Sequence, residues 1–177
     1  MRREMEKIFW DGFNEEPLGA VWAAVCDNEL IAVRIGGDAE GFRQMLAIQY
    51  GGSLTRSKDQ VAPVMRQIEA YLRGERKTFE IPIHWAAMSP FQQKVLQAVF
   101  AIPYGETRSY GQIGNQIGMP KAARAVGHAN ATNPIPLVIP CHRVIGADGS
   151  LRGYGSGEGI KTKAWLLELE KEMRYST

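Results

Sequence analysis

The sequence predicts an α+β chain in two parts. A small strand-and-helix domain occupies residues 1–85, and a mainly helical domain with a helix-turn-helix and an active-site loop occupies residues 86–177. Three observations predict it. Two short apolar runs joined by turn residues sit near the start of the first part. Two helix-periodic segments, separated by Gly118-Met119-Pro120, give the second part a helix-turn-helix outline. Three prolines at 134, 136 and 140 then stop all periodicity just before Cys141.

Taken in order, Leu18–Cys26 and Leu30–Ile35 read as strands around the turn signal Asp27-Asn28-Glu29. Gly36-Gly37-Asp38 breaks the pattern, and a helix follows through Phe42, Met45, Leu46 and Gln49-Tyr50 to Gly51-Gly52. Val61, Val64, Met65, Ile68 and Leu72 recur at helical spacing and predict a second helix over 61–72. Thr78–Ile83 reads as one more strand. Nothing in this half carries recognisable chemistry, and Cys26, at the end of an apolar run, reads as a core thiol.

The second half opens on Ser89-Pro90-Phe91-Gln92, a capping-box pattern with proline at the first helical position. Phe91, Val95, Leu96 and Val99 form the buried stripe, and Pro103-Tyr104-Gly105 ends the segment. Ser109-Tyr110-Gly111-Gln112 repeats the capping pattern. Lys121–Asn130 then reads as a short helix with a small face: Ala122, Ala123, Ala125, Gly127 and Ala129. Such a face serves either close packing against a neighbouring helix or close approach to a nucleic-acid groove, with Lys121 and Arg124 as the cations.

The stretch from Asn133 to Gly146 is the most informative. Its prolines predict a stiff, extended segment that delivers Cys141 straight into His142 and Arg143. Adjacent cationic or imidazole groups lower a thiol pKa, and a histidine can take its proton. A buried, inert cysteine is the competing reading. Gly149–Gly159 holds five glycines but lacks the strand-to-helix context of a phosphate-binding fingerprint, so it reads as a flexible lid. Ile160–Glu172 is the last helix, with Trp165, Leu166 and Leu169 apolar.

Composition narrows the class. The 177 residues are 45% hydrophobic and 23% charged, which excludes a disordered chain. No apolar run reaches membrane-spanning length, and the first residues lack a signal-peptide core, so a cytoplasmic protein is expected. Two distant cysteines cannot make a disulfide scaffold, and His84, His128 and His142 have no zinc-ligand spacing, so no metal is expected. The net charge of +2 hides an asymmetry: residues 1–89 hold 11 Lys+Arg against 13 Asp+Glu, and residues 90–177 hold 10 against 6. Either a polyanionic partner for the second half or ordinary surface variation accounts for it.

Pro140-Cys141-His142-Arg143, behind Asn133-Pro134 and the Lys121-Ala-Ala-Arg124-Ala-Val-Gly127 helix, strongly resembles the methylated-DNA–protein-cysteine methyltransferases, the O6-alkylguanine-DNA alkyltransferases. The resemblance runs through residues 88–172. It implies a DNA-repair protein that flips O6-alkylguanine, and in some cases O4-alkylthymine, out of duplex DNA. The alkyl group then passes irreversibly to the protein's own cysteine, once per molecule. By the same resemblance Cys141 is the acceptor, His142 its base through a water, and Glu170 the carboxylate that orients the histidine. Tyr110 donates a proton to the leaving guanine and crowds a phosphate, and Arg124 inserts into the base stack. Asn133 ties the recognition helix to the active-site segment. Lys121, Ala123 and Gly127 fall on the DNA-facing helix, and Pro136, Tyr154 and Gly155 on the pocket wall.

No cofactor is implied. The implied partner is double-stranded DNA, met in the minor groove with little sequence specificity by a protein that is a monomer when free and nucleoid-associated in a prokaryote. The chain departs from the family in several places. His128 stands where a small residue is usual, the chain between Tyr154 and Trp165 is about two residues longer, and Gly155 replaces a serine or alanine. The zinc ligands that some members carry near the N-terminus are missing. Two other classes compete: a module that binds alkylated bases without repairing them, whose family relatives lack the cysteine, and a Cys-His hydrolase. The hydrolase needs an oxyanion hole, and adjacent Cys141 and His142 are poor geometry for a direct dyad.

Overall fold

The computed structural model describes residues 7–175, and the chain divides into two compact units between Ala87 and Met88. In the first, β1 (Lys7–Glu15), β2 (Gly19–Cys26) and β3 (Glu29–Ile35) form an antiparallel meander. The β2–β3 hairpin closes through Asp27 and Asn28, whose φ angles of 50° and 65° are the left-handed pair that a two-residue turn requires. Asp38 caps α1 (Ala39–Tyr50) by accepting from Gly41 N at 2.7 Å. The chain then returns as β4 (Ser53–Arg56), parallel to β1, which gives the strand order β3-β2-β1-β4. α2 (Lys58–Leu72) packs against β1 and β2.

Both faces of this sheet are covered, because neighbouring β2 residues Val21, Trp22, Ala23 and Ala24 are all buried. On one face Trp10, Trp22 and Phe42 meet with ring centroids 6.1–6.2 Å apart. Gly12 is required beneath them, since a Cβ there would lie 2.2 Å from the Trp22 ring.

Two strands, β1 and β4, are additions to the sequence reading. Thr78–Ile83 is a correction: only Ile83 bridges, to Leu30. The backbone of Glu80 is bound instead by the Gln67 amide, which accepts from its N–H at 2.8 Å and donates to its carbonyl at 3.3 Å. Pro82 has no N–H to extend a ladder.

The second unit contains α3 (Pro90–Phe100), β5 (Arg108–Ser109), α4 (Tyr110–Gln116), α5 (Ala123–Ala131), β6 (Val144–Ile145) and α6 (Ile160–Tyr175). Ser109 and Gln112 form a complete capping box at α4. At α3 the box is half made: Ser89 Oγ accepts from Gln92 N at 3.3 Å, but the Gln92 amide donates to the Thr132 carbonyl at 3.0 Å. That glutamine fastens α3 to the end of α5 instead. α5 starts two residues later than the sequence reading, leaving Lys121 in the preceding turn.

The proline-rich segment is stiff but not extended. Ile139 N donates to Ile135 O at 2.9 Å, and Leu137 takes a φ of 73°, so the chain coils through turns. Proline fixes φ without forbidding such turns. Asn133 braces them, its Nδ2 donating to Ile139 O and its Oδ1 accepting from Ile135 N, each at 2.9 Å. Among the described residues no helix is long and apolar enough to cross a membrane.

Candidate functional site

The coiled segment ends in a 3-10 turn over Cys141–Arg143, all three residues buried. Directly after it, β6 pairs in parallel with β5, Arg108 with Val144 and Ser109 with Ile145. This two-residue ladder fixes the start of α4, and so Tyr110, relative to the cysteine turn. The Tyr110 ring lies over Gly127 of α5, where an added Cβ would touch it at 3.8 Å.

α6 brings Glu170 into the same interior. The fully buried carboxylate accepts from His142 Nε2 at 2.8 Å, from Gly105 N at 2.8 Å and from Arg143 Nε and Nη2 at 2.8–3.0 Å. Burial opposes its ionisation, but the hydrogen bonds from His142 and Arg143 and the charge of Arg143 outweigh that and hold it at about 2. Arg143 also donates from Nη1 to Ile102 O at 2.6 Å and stacks on the Tyr104 ring. His142 is fully buried, which pushes its pKa down and favours neutral imidazole, the form able to accept a proton.

Cys141 lines a cleft together with Asn133, Pro136, Tyr154, Gly155 and Asn130. Burial raises its thiol pKa, and hydrogen bonds with Asn133 and Tyr154 and the charge of Lys163 pull the other way. The expectation that the adjacent arginine would lower it is corrected: Arg143 is engaged by Glu170, and the cation acting on the thiol is Lys163. Burial likewise keeps Tyr110 protonated, with the nearby Cys141 acting in the same direction. Gly155 approaches the end of α5 so closely that a Cβ would sit 2.8 Å from Ala131 O.

The structure therefore gathers Cys141, His142, Glu170, Asn133, Pro136, Tyr154 and Gly155 in one region, with Tyr110 beside it. Lys121, Ala123 and Arg124 are exposed, on α5 and the turn before it, and so is His128, one helical turn after Arg124. The sequence reading missed Asn130, which donates from Nδ2 to the Cys141 carbonyl at 3.2 Å. Its signal was a polar residue next to Ala129 on the buried side of a short helix. It also missed the pairing of Arg143 with Glu170, although Arg143 stands in the quoted motif, and gave no role to Lys163.

Comparison with known proteins gives concordant matches. Residues 90–172 match the family model for the 6-O-methylguanine DNA methyltransferase DNA binding domain, and residues 11–85 match the ribonuclease-like domain of the same proteins. A methylated-DNA–protein-cysteine methyltransferase of Methanosarcina acetivorans is 41% identical over 156 residues, covering 85% of this chain and 98% of the relative. One from Mycobacterium leprae is 54% identical over 110 residues, 62% of this chain, and the match spans 65% of that relative's length. The crystal structure of Mycobacterium tuberculosis OGT in complex with DNA aligns with a TM-score of 0.76 at 38% identity, covering 93% of this chain and 94% of that one.

Proposed function

The chain belongs to the methylated-DNA–protein-cysteine methyltransferase family, and from that premise we propose that it is a DNA-repair protein that moves the alkyl group of O6-alkylguanine in duplex DNA onto Cys141. The observation that carries the reading is the buried His142–Glu170 pair directly behind a cysteine that lines a cleft.

The proton on Cys141 Sγ passes through a water to neutral His142, and the ionised Glu170 stabilises the imidazolium that results. Sulfur attacks the alkyl carbon, the bond from that carbon to guanine O6 breaks, and its electron pair stays on the base. Tyr110 supplies the proton that neutralises the leaving guanine and recovers one from the relay, so the net transfer is one alkyl to sulfur and one proton to the base. A thioether has no easy leaving path, so each molecule acts once.

Guanine O6 is out of reach of a protein thiol inside a duplex, so the base has to leave the stack. The exposed Arg124 on a helix with small residues at Ala123 and Gly127 suits minor-groove insertion, with Lys121 on a phosphate. Damage has no fixed sequence, so phosphate contacts and cleft shape dominate over base reading. The test is intact-protein mass and peptide mapping after mixing with excess duplex carrying one O6-methylguanine. One methyl at Cys141, with repair stopping at one lesion per protein, is expected. An unmodified protein that still shifts the duplex in a gel overturns the transfer and leaves a damage-binding module.

A further inference from the structure

Asn130 carries a buried oxygen that the reaction above does not use. It lies on α5 with 4% of its surface exposed, and it lines the cleft together with Cys141. Chemistry alone orients its amide. The Cys141 carbonyl only accepts, so the atom 3.2 Å from it is the donor, Nδ2. Oδ1 is the other end, and among the described residues it has no hydrogen-bond partner. A buried amide oxygen without a donor is costly, so a cleft that keeps one points to a ligand that supplies the donor. Asn133, the other amide of the cleft, is not in this state: its Nδ2 donates to Ile139 O and its Oδ1 accepts from Ile135 N. Asn130 therefore offers an unclaimed acceptor to whatever enters.

We propose that Asn130 is a specificity residue: its Oδ1 accepts a hydrogen bond from the 2-amino group of the O6-alkylguanine that enters the cleft. The inference rests on the alkyltransferase reading above and deepens it by naming what selects the base. Alkylation at O6 leaves guanine N1 with a lone pair and no hydrogen. N3 and N7 are acceptors as well, so the 2-amino group is the N–H donor of the damaged base. An acceptor in the wall pairs with that group and with no other on the ring. O4-alkylthymine has no such donor, because its N3 has lost its hydrogen and its O2 only accepts. Facing Oδ1, it leaves the oxygen as unpaired as before. A site built to hydrogen-bond one group rejects the analogue that lacks it, so the same atom selects O6-alkylguanine over O4-alkylthymine. Because Nδ2 stays on the Cys141 carbonyl, one amide ties the base to the turn that carries the sulfur.

The experiment measures the rate of methyl uptake, by intact-protein mass, from two duplexes that differ in one group. One carries O6-methylguanine and the other O6-methylhypoxanthine, which lacks the 2-amino group. The wild type is compared with Asn130→Leu and Asn130→Ala. Leucine keeps a branched side chain of similar size and alanine removes it, so a variant that fails to fold leaves the other, and thermal melting confirms folding. Either substitution also removes the bond to the Cys141 carbonyl, but that loss slows both duplexes alike and cancels in the ratio of their rates. Any difference in extruding the two bases is common to all three proteins and cancels too. In a folded variant the preference for O6-methylguanine over the analogue should fall about tenfold. A ratio that stays at the wild-type value while both rates fall overturns the proposal and leaves Asn130 a brace for the cysteine turn. No uptake by the wild type from either duplex overturns the alkyltransferase reading, and this inference with it, so the two failures are told apart.

Discussion

Two residues concentrate the proposed chemistry, and each supports a prediction. Cys141→Ala removes the proposed acceptor atom while leaving the exposed face of α5 untouched, so methyl uptake should vanish and duplex binding should stay near wild type in a gel-shift titration. Full uptake in that variant would end the acceptor assignment. Glu170 is the hub on which Gly105, His142 and Arg143 converge. Glu170→Gln leaves the Arg143 guanidinium buried without its anion, and removing one partner of such a pair costs about 3–5 kcal/mol, readable in urea unfolding. The same carboxylate gives a sign for pH. Its folded pKa, about 2, lies below the ordinary 4.5, so the unfolded chain binds the extra proton in between. The stability it contributes is therefore complete above 4.5 and lost as pH falls through about 2. Unfolding midpoints measured down this range should fall in the wild type and flatten in Glu170→Gln.

At the scale of elements, placement depends on short devices. Ser109 caps α4 one residue before Tyr110, so Ser109→Ala should cost about 1 kcal/mol and should also slow methyl transfer, because the loosened first turn carries Tyr110, the proposed proton donor. A variant that melts lower yet transfers at the wild-type rate would separate the cap from Tyr110's role. Gly155 sits against Ala131 O, and Gly155→Ser should push the loop off the end of α5 at a cost of about 1–3 kcal/mol, with slower transfer. These devices also mark what the sequence could express. The hairpin at Asp27-Asn28 and the capping box at Ser109 are local, and both were legible. The half-made box at Ser89 was not, because Thr132, the partner that claims Gln92, lies 40 residues away. β1 and β4 escaped notice for a related reason. β4 is short and mostly exposed, and β1 alternates weakly, so its pairing with β2 and β4 defines it more than its own pattern does. The proline run announced stiffness correctly, but its coil rests on the Asn133 braces, which no periodicity records.

For the whole molecule, the proposed site splits into an interior assigned to transfer and an exposed face assigned to DNA, and the two were unequally legible. The cysteine, histidine and distant glutamate came from a resemblance to a known motif; spacing alone left an inert thiol open. Lys163, by contrast, was readable in principle, since Leu166 and Glu170 follow it at the spacing of one helix face. The exposed face raises a question of charge. Residues 90–177 carry 10 Lys+Arg against 6 Asp+Glu, while residues 1–89 carry 11 against 13, so any duplex affinity should reside with the second set and weaken as salt rises. Lys121 and Arg124 are both exposed there, yet the proposed roles differ. A lysine on a phosphate releases a counterion, so Lys121→Ala should reduce the slope of log affinity against log salt by about 0.9. An arginine that fills the place of a flipped base acts on extrusion, so Arg124→Ala should leave that slope nearly unchanged. It should slow repair of duplex far more than reaction with free O6-methylguanine base. Equal losses on duplex and free base would remove Arg124 from the extrusion step, and a salt slope lowered as much as that of Lys121→Ala would make it a phosphate contact.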